Sequence, residues 1–364
     1  MKIVHTISSF SSGGAEALIR ELSYQQIQTS EVEIWAMNPS HNPEYSHKIE
    51  AELKDAGIKT AVAGDRPNSE RFKKLSFLRD LLKERKPDVV NAHSEVHAAF
   101  IATASIGLGI NLFQTIHSTV IRFKPLQKYY TSRFLKKYVA ISATCKDVIV
   151  KELNPPESKI EIIYNGIDLT KFRCIGRQAR PEVKNILILG RLAPEKDHAN
   201  MFKAFRALCD KLKSEKRPVP TLNVVGDGPI RASLENIVDE LDLKDNVIVH
   251  GVLTDIPKVL LENDLLVMSS KWEGMSIALI EAAASGIPII ATDVGSNKEI
   301  IRDGFNGCIV EKENSTALAY AMYELATNYA KRAAYSANSP AAADKYDIKL
   351  TAELYNKMYQ EAIS

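Results

Sequence analysis

No apolar run in the 364 residues reaches the ~20 that a membrane-spanning helix needs, so any bilayer contact is expected to be peripheral. The N-terminal stretch MKIVHTISSFSSGG has too short an apolar core for a secretion signal. Cysteine is scarce: Cys145, Cys174, Cys209 and Cys308 are scattered without a C-x-x-C pair, which argues against a zinc site or a disulfide framework. They are expected to be buried packing residues of a protein in a reducing cytosol. Charge of either sign is not in excess, with 47 Lys and Arg against 45 Asp and Glu, so nothing global points to nucleic acid. The dinucleotide fingerprint G-x-G-x-x-G is also missing, which disfavours a hydride-transferring enzyme.

What is present is a soluble-protein composition, 45% hydrophobic and 25% charged, on a chain long enough for two domains of ~150 to 200 residues. Short apolar runs alternate with helical patterns. Lys2–Ile7, Val32–Met37, Val89–Ala92, Leu112–Ile116 and Val139–Ser142 read as strands, with helices from Ala15 and over Glu70–Arg85 between them. After a charged, aperiodic segment, Arg173–Lys184, the alternation restarts with Ile186–Leu189, Leu222–Val225 and Val247–Val249. Alternation of this kind predicts an α/β fold with parallel sheets. Ligands of such sheets gather at the carboxyl ends of strands, where His93 and His117 fall.

The stretch from Met268 to Thr292 organises the second half. Leu265–Met268 and Ile287–Ala291 read as buried strands, joined by a polar loop and a short helix that Ser276 is placed to cap and Gly286 to end. Two carboxylates, Glu273 and Glu281, punctuate this unit beside a helix N-terminus. Carboxylates accept hydrogen bonds from vicinal hydroxyls, and the amides of Met275 and Ser276 suit a phosphate. A phosphorylated, hydroxyl-rich ligand is the chemistry that fits.

The segment EGMSIALIEAAASGIPIIAT closely resembles the E-x7-E signature of the retaining, GT-B-fold glycosyltransferases of family 4. GRLAPEKD (Gly190–Asp197), the turn Gly226-Asp227-Gly228-Pro229, Asn165-Gly166-Ile167-Asp168 and Asn306-Gly307-Cys308-Ile309-Val310 resemble further motifs of that family. Met275-Ser276 stands where the family more often has aromatic-glycine, and Asp197 replaces the residue usual after its lysine. The resemblance implies two Rossmann-like domains facing a cleft. The first spans 1–168 on the acceptor side, joined by a C-terminal helix over 345–364, and 169–344 binds the nucleotide sugar. It implies a donor linked to UDP or GDP as substrate, with no further cofactor, and a glycan or lipid-linked acceptor. Glu273 is implied to hold the donor sugar and Glu281 the ribose. Arg191 and Lys196 would face the diphosphate, His117 the reacting sugar, Gly13 and Gly14 a first loop that approaches donor phosphate and acceptor, and Gly251 the base. His117, Glu273, Arg191 and Lys196 form the implied catalytic set.

The sequence has no Asp-x-Asp, the motif with which many such enzymes hold a metal, and Arg191, Lys196 and the helix amides offer equivalent charge. No metal is therefore expected. A nucleotide-sugar epimerase, a phosphorylase and a non-catalytic binding module are the competing readings; retention of Arg191, Lys196, Glu273 and Glu281 argues against the last. Residues 121–138, IRFKPLQKYYTSRFLKKY, carry six basic and five aromatic residues and no acid. Such a segment could rest on the anionic inner face of the cytoplasmic membrane, or form a solvated helix with its aromatics inward. The first option implies a role in surface polysaccharide or glycolipid assembly.

Overall fold

A computed structural model describes residues 1–11, 13–64, 71–173, 177 and 179–364. Ser12 in the first turn, Glu70 at the expected start of a helix, and Cys174 lie outside the described residues. The chain divides into two compact units, Met1–Ile167 with Tyr346–Ser364, and Asp168–Lys345.

The first unit holds a parallel sheet of β1 (Lys2–Ile7), β2 (Glu31–Ala36), β3 (Lys59–Val62), β4 (Val89–Ala92), β5 (Asn111–Ile116), β6 (Leu135–Ala140) and β7 (Ile160–Ile162). Its order is β3-β2-β1-β4-β5-β6-β7, so the winding reverses between β1 and β4. Parallel strands are covered on both faces by crossover helices, which is why they read as unbroken apolar runs. On one face Ile3, Val89, Phe113 and Val139 pack against Leu18 and Leu22 of the helix Gly14–Gln26 and against Tyr355, Met358 and Tyr359 of the terminal helix Ile348–Ile363. Each large side chain buried this way contributes roughly 1.5–3 kcal/mol.

The expected C-terminal helix forms over Ile348–Ile363, but its buried face is not simply its apolar face. Leu350 and Leu354 stay exposed, while Thr351 and Ala352 are buried. Thr351 turns inward because its hydroxyl donates to the Tyr164 carbonyl at 3.0 Å, beside Gly166, where any side chain would collide with Ile348.

Residues 121–138 are neither one helix nor one surface segment. A short helix, Lys124–Tyr129, and a single 3-10 turn, Thr131–Arg133, lead directly into β6, which starts four residues before the expected strand. Tyr138 is therefore fully buried within the sheet, and Lys137 pairs with Glu161 at 2.8 Å. Phe123, Leu126 and Tyr129 remain exposed.

The second unit holds β8 (Asn185–Leu189), β9 (Thr221–Val225), β10 (Val247–Gly251), β11 (Leu265–Met268), β12 (Ile289–Thr292) and β13 (Cys308–Val310), all parallel, in the order β10-β9-β8-β11-β12-β13. The helix His198–Ser214 presents Phe202, Phe205, Leu208 and Leu212 at helical spacing to Ile186, Ile188, Leu222 and Val224 of the sheet. Arg332 is buried, and its planar fork donates to the carbonyls of Leu325, Ala326, Arg180 and Pro181. It thereby pins part of the segment expected to be an aperiodic linker. Cys145, Cys209 and Cys308 are buried free thiols.

Candidate active site

In the second unit the winding reverses between β8 and β11, the switch point at which doubly wound sheets bind ligands beyond their carboxyl ends. Two loops leave there, Gly190–Asp197 after β8 and Ser269–Gly274 after β11, and they are stitched together. The Ser269 hydroxyl donates to the carbonyls of Lys196 (2.9 Å) and Asp197 (3.1 Å), and Lys271 N donates to the Glu195 carbonyl at 2.8 Å. Lys196 Nζ donates to Glu273 Oε1 at 2.6 Å, and the Ser270 hydroxyl donates to the same oxygen at 2.7 Å. The carboxylate thus fixes the ammonium beside Gly190, whose missing Cβ would lie 3.5 Å from Lys196 Cε.

Backbone packs on backbone around these loops. A Cβ on Gly226, which has φ +141°, would sit 1.9 Å from the Gly190 carbonyl oxygen. One on Gly295, at φ +54°, would sit 2.3 Å from that of Glu273. Gly226 N also donates to the Gly251 carbonyl at 2.8 Å, which joins the end of β10 to the cradle. From the other side, Thr292 Oγ1 donates to the Ser270 carbonyl (2.7 Å) and Ser296 Oγ to that of Gly274 (2.9 Å).

Beyond the loop, Ser276 caps the helix Ile277–Ser285 by accepting from Leu279 N at 3.4 Å, and Gly286 ends it at φ +72°. Met275 is buried behind the cap. The first turn leaves its N–H groups for an anion. Glu281 lies one turn on, part-buried, with no side-chain hydrogen bond or ion pair among the described residues. Burial raises its carboxyl from 4.5 to about 8. Arg191 is exposed and also makes no side-chain hydrogen bond or ion pair among the described residues. The unit therefore offers two cations, a helix N-terminus and two carboxyls at one sheet edge, a set that suits a diphosphate flanked by hydroxyl-bearing groups.

The remaining predicted residues belong to the first unit. Gly13 caps the helix Gly14–Gln26 with φ −67°, ψ 153°, an ordinary extended backbone, and nothing stands within 4 Å of where a Gly14 side chain would begin. His117 follows β5 and is part-buried; its Nε2 lies 2.9 Å from His93 Nδ1, and desolvation lowers its pKa to about 4. Ser269, Ser270, Gly295 and Ser296 were not singled out by sequence reasoning, because a serine or glycine in a loop carries no signal until its partner is known.

The family described as "Glycosyl transferases group 1" matches residues 176–342, and that described as "Glycosyltransferase Family 4" matches residues 12–171. The chain is 27% identical over 263 residues to the Escherichia coli UDP-Gal:alpha-D-GlcNAc-diphosphoundecaprenol alpha-1,3-galactosyltransferase, a stretch that spans 66% of each protein. It is 26% identical over 315 residues to the putative glycosyltransferase EpsF of Bacillus subtilis, covering 80% of this chain and 79% of EpsF. Anabaena HepE, solved in complex with UDP-glucose, superposes with a TM-score of 0.84 at 19% identity over 99% of this chain and 100% of HepE.

Two doubly wound parallel sheets, with the terminal helix returning to the first, are the architecture of a GT-B-fold glycosyltransferase. Within that class, the chain belongs to the group 1, family 4 glycosyltransferases.

Proposed function

We propose that this enzyme transfers a sugar, with retention and without a metal, from a UDP-linked donor to a lipid-linked glycan during surface polysaccharide or glycolipid assembly. The observation that carries the reading is Glu281, a part-buried carboxyl with no partner among the described residues, next to a capped helix N-terminus and across the switch point from Lys196. A ribose diol supplies the missing donors, and the diphosphate meets Lys196, Arg191 and the helix amides. Those charges stabilise the departing nucleotide without rearranging, which is the main catalytic term available here. Glu273, oriented by Lys196 and Ser270, is the carboxylate assigned to the donor sugar in this reading. Retention rests on the likeness of the Glu273–Glu281 unit to the family signature. UDP is favoured over GDP by the nucleotide sugar bound to HepE, and a lipid diphosphate acceptor by the E. coli relative.

No helix among the described residues is long and apolar enough to cross a membrane. In this reading, contact with the cytoplasmic membrane face comes from the exposed Phe123, Leu126 and Tyr129, interleaved with Arg122, Lys124 and Lys128. Each basic residue near an anionic surface is worth ~1 kcal/mol.

A panel of UDP- and GDP-sugars, scored by protection against thermal unfolding and by transfer in excess chelator, tests the donor and the metal-free mechanism. Transfer that requires added Mn²⁺ would refute the latter. Wild type should sediment with anionic liposomes at low salt and release at high salt, and Phe123→Ser with Tyr129→Ser should not bind. Indifference of the wild type to anionic liposomes would remove the membrane contact.

A further inference from the structure

On the face of the first sheet that carries the terminal helix, three imidazoles form one hydrogen-bonded line. It crosses adjacent strands from the sheet interior to the carboxyl edge. His5 Nδ1 lies 3.0 Å from His93 Nε2, and His93 Nδ1 lies 2.9 Å from His117 Nε2. At the inner end His5 Nε2 lies 2.7 Å from Gln26 Oε1, while Gln26 Nε2 donates to Asn356 Oδ1 of the terminal helix at 2.9 Å. His5 and Gln26 are fully buried, and His93 nearly so.

A neutral imidazole carries one N–H and one lone pair, so a row of neutral rings can point its protons all one way or all the other. Desolvation holds His5 and His117 near a pKa of about 4 and His93 well below its ordinary value, so the row is uncharged at neutral pH. The end group then decides. Because the Gln26 amide nitrogen is spent on Asn356, its carbonyl oxygen faces His5 and can only accept. His5 must therefore donate from Nε2, His93 from Nε2 to His5, and His117 from Nε2 to His93. One nitrogen is left over, Nδ1 of His117, as a bare lone pair with no partner among the described residues.

We infer that Gln26, His5 and His93 are positioning residues that fix His117 as the Nε2–H tautomer. His117 then takes part in transfer only as a hydrogen-bond acceptor, from a sugar hydroxyl, and not as a donor to a phosphate oxygen. Asn356 makes the terminal helix part of this device. The inference rests on the reading of His117 as a residue that meets the reacting sugar, but the tautomer is measurable without it.

Long-range ¹H–¹⁵N correlation spectra of the full-length protein, with ¹⁵N-labelled histidine and the His117 signals assigned through His117→Gln, read the tautomer directly. Wild type at neutral pH should show His117 with a protonated Nε2 and an unprotonated Nδ1. A protonated Nδ1, or a mixture, overturns the assignment with no variant needed. Gln26→Leu, close in volume but unable to accept, should give mixed tautomers at His117 and a kcat lower by about tenfold, the worth of one well-made hydrogen bond. A Gln26→Leu variant that folds and retains the wild-type tautomer also refutes the relay. If the tautomers behave as described but His117→Gln transfers sugar at the wild-type rate, the relay stands and the role of His117 in transfer falls.

Discussion

If Glu281 meets the ribose as proposed, nucleotide-sugar binding should release a proton, and the size of the effect follows from its burial. Its carboxyl is raised from 4.5 to about 8, so at neutral pH the unliganded protein holds it protonated. At ~1.4 kcal/mol per pKa unit, ionising it in place costs roughly 4–5 kcal/mol more than in water. In the proposed site, ribose hydroxyls donating to it would stabilise the ionised form, so the ligand should expel the proton. Affinity should then climb by up to ~10-fold per pH unit approaching pH 8 and level off above it. Titration calorimetry with an esterified nucleotide sugar, whose diphosphate has no group titrating near neutrality, counts the proton when repeated in buffers of different ionisation heat. Wild type should release about one proton at pH 7. Glu281→Gln should release none, lose the pH dependence, and bind ~1.5–3 kcal/mol more weakly for want of a charged acceptor. Stability should follow the same group. From pH 4.5 to 8 the unfolded chain has released a proton that the folded protein still holds, so the wild type loses stability as pH rises through that window, and Glu281→Gln should lose less. Binding without proton release, with affinity flat from pH 6 to 8, would refute the reasoning.

Arg191→Ala and Lys196→Ala should each lower kcat by ~10²–10³, the range for removing one preorganised charge, with Arg191→Lys rescuing only partly because its planar fork is lost. Steady-state kinetics over a range of donor concentrations decides: a change confined to KM would mean that these cations bind ground state and transition state alike. Gly226→Ala places a Cβ against the Gly190 carbonyl oxygen, 1.9 Å away, in a left-handed backbone, and should cost roughly 2–4 kcal/mol in urea unfolding. Wild-type stability in that variant would mean that the two loops pack less tightly than described.

The sequence determined by itself what depends on neighbours along the chain. Apolar runs buried on both faces could only be strands of covered parallel sheets, so the α/β class was legible, as were the Ser276 cap and the Gly286 stop. The apolar runs likewise put Arg191, Lys196 and Glu273 in loops that follow strands and Glu281 on the short helix, and the family resemblance implied their roles. The tertiary structure decided what depends on which strands lie side by side. Because β4 lies beside β1 and β5 beside β4, His5 meets His93 across 88 positions and His93 meets His117 across 24, and no periodicity announces such a row. The Lys196–Glu273 pair closes over 77 positions for the same reason, since β8 and β11 are neighbours in space but not in the chain. Thr351 faces inward while Leu350 beside it stays exposed, because its hydroxyl donates to the Tyr164 carbonyl, a hydrogen bond that a leucine does not make. In 121–138 a basic, aromatic composition was divided between a surface helix and a buried strand: β6 needed Tyr138 between its neighbours, and Phe123 and Tyr129 had no sheet to enter.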